Sequence, residues 1–199
     1  MQKNLIIFIK NPVLGTVKTR LAKTEGDEVA LTIYKDLMDK CKSETLKVDA
    51  NRYLFYSQEV KEDNWSQKKF IKKVQSNGDL GDKMKGAFTE VFSDGESKTL
   101  IIGSDCYDLT SEIIEEAFET LNGNDIVLGP ANDGGYYLLG MKSYHAELFE
   151  GIDWSTDVVL KQTIQKARNS KLSVIKLEEL IDIDNIYDLE KSGYNYKVD

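Results

Sequence analysis

Short β-branched apolar runs alternate with longer amphipathic stretches along nearly the whole chain, and few folds accommodate that pattern. The run "LIIFI" (5–9) has no polar face, as a strand covered on both sides requires. Residues 26–46 then place Val29, Ala30, Ile33, Leu37 and Cys41 at helical intervals. Further strands are expected over 52–57, 69–75, 99–105, 125–130, 135–141 and 172–177. Helices are expected over 80–93, 110–122 and 155–168, with a short one after the acids at 182–184. Helical crossovers allow strands to pair in parallel. The pattern therefore predicts an α/β fold, a mostly parallel twisted sheet with helices on both faces. Only "ANDG" separates the runs at 125–130 and 135–141, too little for a crossover, so one late antiparallel strand is expected.

With 199 residues, 41% hydrophobic, the chain can build a core without disulfide or metal, and a single domain over 1–199 is expected. Cys41 and Cys106 lie far apart and form no zinc or disulfide framework. A net charge of -8 argues against nucleic acid as partner, which calls for a basic face, but leaves room for a local anion site. No run approaches the ~20 apolar residues of a membrane span, and the N-terminal apolar stretch is too short for a signal peptide. A cytoplasmic location is expected.

Doubly wound sheets bind ligands beyond the C-terminal ends of their strands. After the first strand comes "FIKNPVLGTVKTRL" (8–21), which is neither a Walker loop nor a dinucleotide fingerprint. It nevertheless has the parts of a phosphate site. Gly15 permits close backbone approach, Lys10 and Lys18 are point charges, and Arg20 offers a planar fork. The competing reading is a solvated basic loop with Arg20 at a helix start.

In "GSDCYDL", Asp105 stands at a strand tip, suited to a divalent cation such as Mg²⁺, which takes a few carboxylates and phosphate oxygens. Asp108, Thr110 or Ser111 can cap the helix that follows, and Cys106 reads as a small filler. In "LGPANDGGYYLLG", Gly134 and Gly135 allow a tight turn or close approach of a ligand. Asp133 is either a turn former or a general base, and of Tyr136 and Tyr137 one faces the core and the other a cleft. In "DIDNIYDL", Asp182 and Asp184 share one side of an extended segment, as paired metal ligands would, whereas Asp188 suits a helix first turn. His145 reads as a surface-turn residue. Trp65 and Trp154 read as packing residues, with Trp154 beside a cleft.

Six ordered motifs, "FIKNPVLGTVKTRL", "GDLGDKM", "GSDC", "LGPANDGGYYLLG", "WSTDVVL" and "DIDNIYDL", resemble those of bacterial glycosyltransferase-like proteins, some assigned to arsenosugar biosynthesis. That family is similar to the nucleotide-diphospho-sugar transferases (the GT-A superfold) and to small bacterial nucleotidyltransferases. The resemblance covers about residues 4–192 and implies a nucleotide in the N-terminal half with Mg²⁺ or Mn²⁺ at Asp105. By the same likeness Lys10, Gly15, Lys18 and Arg20 would hold the nucleotide's phosphates. Asp133, Gly134, Gly135 and Tyr136 would face the acceptor, and Asp182 and Asp184 would close the metal site. Two positions depart from the family: Tyr107 stands where Pro is usual, and Asn185 where Thr is common.

The reaction implied is glycosyl transfer from a nucleotide-diphosphate sugar to a small acceptor, with Asp133 as base. Nucleotidyl transfer from an NTP to a phosphorylated small molecule would use the same loop and acids. A non-catalytic nucleotide-binding module would keep the pocket alone.

Overall fold

The computed structural model describes residues 1–93 and 95–194. Inside its sheet, β1 (Gln2–Ile9) is flanked in parallel by β2 (Asn51–Tyr56) and β4 (Ser97–Ile102). Outward from β2 lies β3 (Ile71–Val74), and beyond β4 come β6 (Tyr136–Met141), β5 (Ile126–Pro130) and β7 (Val174–Lys176). The order is thus β3-β2-β1-β4-β6-β5-β7, and only β6 runs antiparallel to its neighbours. The short 131–135 connection forces that reversal, as its length predicts.

Period-two alternation in β1 divides the core between the two faces. Leu5, Ile7 and Ile9 pack with Met38 and Cys41 of α2 (Asp27–Lys47) and Ile114 and Phe118 of α4 (Ser111–Thr120). Ile6 turns the other way, toward Met84 and Phe88 of α3 (Leu80–Phe92) and Ala167 of α5 (Val159–Asn169). Both faces of β1 are therefore covered, which explains its unbroken apolar sequence. A third cluster joins Leu21 of α1 (Thr19–Glu25) to Ile33 and Leu37 of α2 and Leu189 of α6 (Ile186–Lys191).

Helix α1 is not among the helices expected, although the competing reading of the loop puts Arg20 at a helix start, where α1 has it. It has seven residues, buries only Leu21 and starts from Lys18 in the left-handed region, so no apolar stripe announces it. The helix expected from 155 begins at Val159, because Ser155 has φ +63 and residues 155–158 form a turn. The cap of α4 is Thr110, whose side chain accepts the Ile113 N–H, while Asp108 instead accepts the Gly193 N–H. Asn185 and Asp188 form a reciprocal capping box on α6, so Asn185 serves as its cap. His145 heads a short 3-10 turn, its Nδ1 3.2 Å from Glu147 Oε1.

Candidate functional site

Beyond the C-terminal ends of β1 and β4 opens a two-lobed cleft. Its polar lobe, of about 520 Å³, lies between the β1–α1 loop, the β5–β6 turn and residues 154–157. The more apolar lobe, of about 450 Å³, runs over the ends of β1, β2 and β4 toward Gln75 and Lys83. Lys10, Tyr34, Asp105, Tyr136 and Asp182 border both lobes and mark where they join. Each lobe is in the size range of a small-molecule site.

The acidic segment reaches this junction by backbone pairing. The Leu180 N–H donates to the Pro130 carbonyl, 3.1 Å away, and the Ile183 N–H to the Asp105 carbonyl, 3.0 Å away. Cys106 and Asp182 form an isolated antiparallel bridge. Residues 180–183 are thus laced between the mouth of the β5–β6 hairpin and the end of β4. The three acids separated in sequence become neighbours.

Lys18 sits in their midst. Its left-handed backbone (φ 48, ψ 42) turns the side chain inward, where 3% of it is exposed. The ammonium donates to the Ile183 carbonyl at 2.6 Å and lies 2.9 Å from Asp105 Oδ2 and 3.9 Å from Asp184 Oδ1. Arg20, largely exposed, pairs with Asp184 Oδ2 at 3.2 Å. Lys10 is exposed on the cleft floor and has no ion pair among the described residues. Of the three loop cations, then, two face carboxylates and one is free. Gly15 does not border the cleft; its φ of +76 serves the turn that precedes α1.

Tyr34 of α2 ties the loop to the acids. Its hydroxyl accepts the Lys10 N–H at 2.7 Å, lies 3.1 Å from the Lys10 carbonyl and 3.3 Å from Ser104 Oγ. Ser104 Oγ in turn lies 3.4 Å from Asp105 Oδ1. Burial, with Asp105 nearby, pushes the Tyr34 hydroxyl far above its ordinary value, so it stays neutral. Asn11 fixes the same loop from the other side: its Oδ1 accepts the Gln58 N–H and its Nδ2 donates to the Glu59 carbonyl. Sequence reading passes over both residues. The available signals are a tyrosine on the buried stripe of α2, whose hydroxyl needs a partner, and an asparagine directly after a buried strand.

The Asp182 carboxylate has neither hydrogen bond nor ion pair among the described residues. Burial and the charge of Asp105 push its pKa up to about 8 despite nearby Lys18. Burial also raises Asp184, against the pull of Lys18. No three His, Cys, Asp or Glu side chains come together as a ready metal cage among the described residues. The oxygens present fit a hard cation that takes one or two carboxylates and completes its shell with phosphate and water, as Mg²⁺ does. Burial raises the Cys106 thiol well above its usual range, in keeping with a filler.

On the opposite wall, Asp133 Oδ1 accepts the Gly135 N–H at 2.8 Å, a turn-forming bond. Asp133 and Gly135 border the polar lobe, whereas Gly134 does not. Gly134 has φ +87, and a Cβ there would lie 2.1 Å from the Asp157 carbonyl oxygen. Its bareness lets the 154–157 segment close against the turn. That segment carries Trp154, whose indole nitrogen would be 2.1 Å from a Cβ on Gly81, the second residue of α3. Trp154 is thereby fixed as a cleft wall. Tyr136 borders the cleft and Tyr137 is buried, donating to the Glu178 carbonyl at 3.1 Å.

A family model described as "uncharacterized protein conserved in bacteria (DUF2064)" matches residues 40–156. A candidate nucleotide-diphospho-sugar transferase from Desulfovibrio desulfuricans G20 is 30% identical, with 95% of this chain and 85% of that chain covered and a TM-score of 0.86. An inositol-1-phosphate CTP transferase from T. maritima shares the fold at 17% identity, with 96% and 92% covered and a TM-score of 0.63. Rv0371c of Mycobacterium tuberculosis H37Rv, solved with manganese, does so at 9% identity, with 96% of each chain covered and a TM-score of 0.57. Among curated proteins, none matches the chain by sequence. Among the described residues no helix is long and apolar enough to cross a membrane.

Proposed function

This chain belongs to the bacterial DUF2064 family, and we propose that it transfers a glycosyl group from a nucleotide-diphosphate sugar to a small acceptor. The supporting observation is the join of the two lobes. A free cation, Lys10, and a strand-tip acid, Asp105, stand where a diphosphate would link a nucleoside in one lobe to a sugar in the other. The 30% identical relative named as a candidate nucleotide-diphospho-sugar transferase points the same way. Relation to the arsenosugar-type proteins is a finer assignment, resting on the motif likeness alone.

In this reading the apolar lobe takes the nucleoside, and Lys10 and Arg20 face the phosphates. Lys18 acts from behind, holding Asp105 and the 183–184 backbone in place. Asp105 and Asp182 would hold Mg²⁺ or Mn²⁺, with Asp184 beside them; the bound ion would supply charge neutralisation at the diphosphate. The manganese-bound relative in this fold accords with such a site. Asp133 would take the acceptor's hydroxyl proton through Oδ2, since Oδ1 is committed to Gly135. The acceptor oxygen forms a bond to the anomeric carbon, the bond from that carbon to the β-phosphate oxygen breaks, and the nucleoside diphosphate departs with the electron pair.

Isothermal titration of UDP- and GDP-sugars against CTP and GTP, with Mn²⁺ or Mg²⁺, tests the proposal. Binding of nucleotide sugars with release of nucleoside diphosphate is expected. Binding of NTPs alone, with pyrophosphate release, would replace it with nucleotidyl transfer. Binding without turnover would leave a nucleotide-binding module. Asp105→Ala is expected to weaken metal-dependent nucleotide binding at least ~100-fold while the fold persists; unchanged affinity in that variant sinks the metal assignment.

A further inference from the structure

Charges in the cleft are sorted by side, and from that sorting we infer that the second substrate carries no anionic group: the polar lobe is built for an uncharged or cationic hydroxyl compound and rejects phosphorylated or carboxylated ones. The inference rests on the proposed function, because it assigns the nucleotide to the other lobe.

Consider first the cations. Lys18 and Arg20 are engaged by Asp105 and Asp184 at 2.9 and 3.2 Å. The side chains of Lys10 and Lys83 have no ion pair among the described residues, and both border the nucleoside lobe, Lys10 at the junction and Lys83 farther in. Free positive charge is therefore available to the nucleotide. The free acids lie opposite. Asp133 and Asp157 are exposed on the wall of the polar lobe, beside Trp154 and Thr156, with no ion pair to either among the described residues. Lys10, Lys18 and Arg20 are the cations that border this lobe, and only Lys10 is unpaired. A divalent cation on Asp105 and Asp182 would be matched by the donor's diphosphate, leaving Asp133 and Asp157 to face the acceptor.

A phosphate entering this lobe on the Asp133–Asp157 side would meet two carboxylates without ion pairs among the described residues, while Lys18 and Arg20 are already engaged by Asp105 and Asp184 and Lys10 stands at the junction, where the donor's diphosphate would sit. Like-charge juxtaposition of this kind is a strong element of discrimination. A neutral hydroxyl compound finds acceptors for its O–H groups in Asp133 and Asp157, beside an indole wall held against Gly81. An acceptor of the phosphorylated type used in nucleotidyl transfer is thus disfavoured by the lobe itself.

The test uses the full chain and two probes, glucose 1-phosphate and methyl α-glucoside, titrated with and without saturating UDP and Mn²⁺. Wild-type protein is expected to show no glucose 1-phosphate binding in the polar lobe. Asp157→Lys is expected to bind it roughly tenfold or more above the limit set by wild type, with the gain fading as salt rises, whereas methyl α-glucoside binding shows no such salt dependence in either protein. Tight glucose 1-phosphate binding by wild type overturns the inference, as does an Asp157→Lys variant that gains nothing. Failure to bind UDP would instead count against the nucleotide reading. The titration without nucleotide still reports the lobe's charge preference in that case.

Discussion

Lys18 Nζ lies 2.9 Å from Asp105 Oδ2, although one residue begins α1 and the other follows β4. The contact joins the cationic loop to the acidic end of the sheet, and the same ammonium holds the Ile183 carbonyl that carries the last acids into place. Lys18→Met keeps the length of the stem and removes the charge. Asp105 would lose its partner but is one-third exposed, so water limits the cost. A loss of about 2 kcal/mol is expected, dominated by the orphaned carbonyl and carboxylate. Urea denaturation with an unchanged m-value would establish it, and the variant should also bind nucleotide more weakly. A stability equal to wild type would mean the ammonium makes no net contribution.

The 154–157 wall depends on two bare positions. In Gly134→Ala the new methyl would meet the Asp157 carbonyl at 2.1 Å, and the φ of +87 disfavours any L side chain. A destabilisation of about 2 kcal/mol or more is expected from strain and clash together. Gly81→Ala should instead displace the Trp154 indole, which has more freedom to move. Trp65 is 1% exposed and lies elsewhere in the core, so it provides a constant background. A red shift in tryptophan emission for Gly81→Ala, absent in Gly81→Ala/Trp154→Phe, is the expected signature.

Glu44 of α2 gives a pH dependence with a definite sign. Its side chain is 7% exposed, pairs with Lys40 and Lys47, and accepts the Ser111 N–H at 3.1 Å. Burial alone would raise its pKa, but those partners outweigh it and hold the carboxyl at about 2. The folded value lies below the unfolded one, so the carboxylate's contribution is fully present above the ordinary value of 4.5 and lost as pH falls toward 2. Wild type should therefore exceed Glu44→Gln in stability at pH 7, and the gap should close between pH 4.5 and 2. A gap that stays constant across that range would show that the ionised form is not what matters.

Much of the architecture was legible from periodicity. The seven strands and the reversed β5–β6 pair follow from short apolar runs, their spacing and one short connection, all local properties of the chain. Misreadings fall where local pattern is weak. Helix α1 buries a single leucine, and α5 starts late because Ser155 takes a left-handed backbone that no periodicity encodes.

The candidate site was legible as a set of residue types rather than as pairs. Lys10, Lys18, Arg20, Asp105, Asp133, Asp182 and Asp184 all border one cleft. Their roles divide in ways that linear spacing does not contain. Alternation puts Asp182 and Asp184 on one side, yet Asp184 meets Arg20 and the Asp182 carboxylate has no ion pair among the described residues. Gly15 and Gly134 look alike as turn glycines. One only shapes its loop, whereas the other makes room for a neighbouring backbone. Hydrophobic periodicity acts over a few residues and is written in the chain, so it settles the strands, the helices and the end of the sheet where a ligand belongs. Charge pairing acts through space over a few ångströms. Whether Lys18 faces a phosphate or Asp105, and which acids keep their charge unmatched, followed only once the strands had brought residues 18, 105 and 184 together.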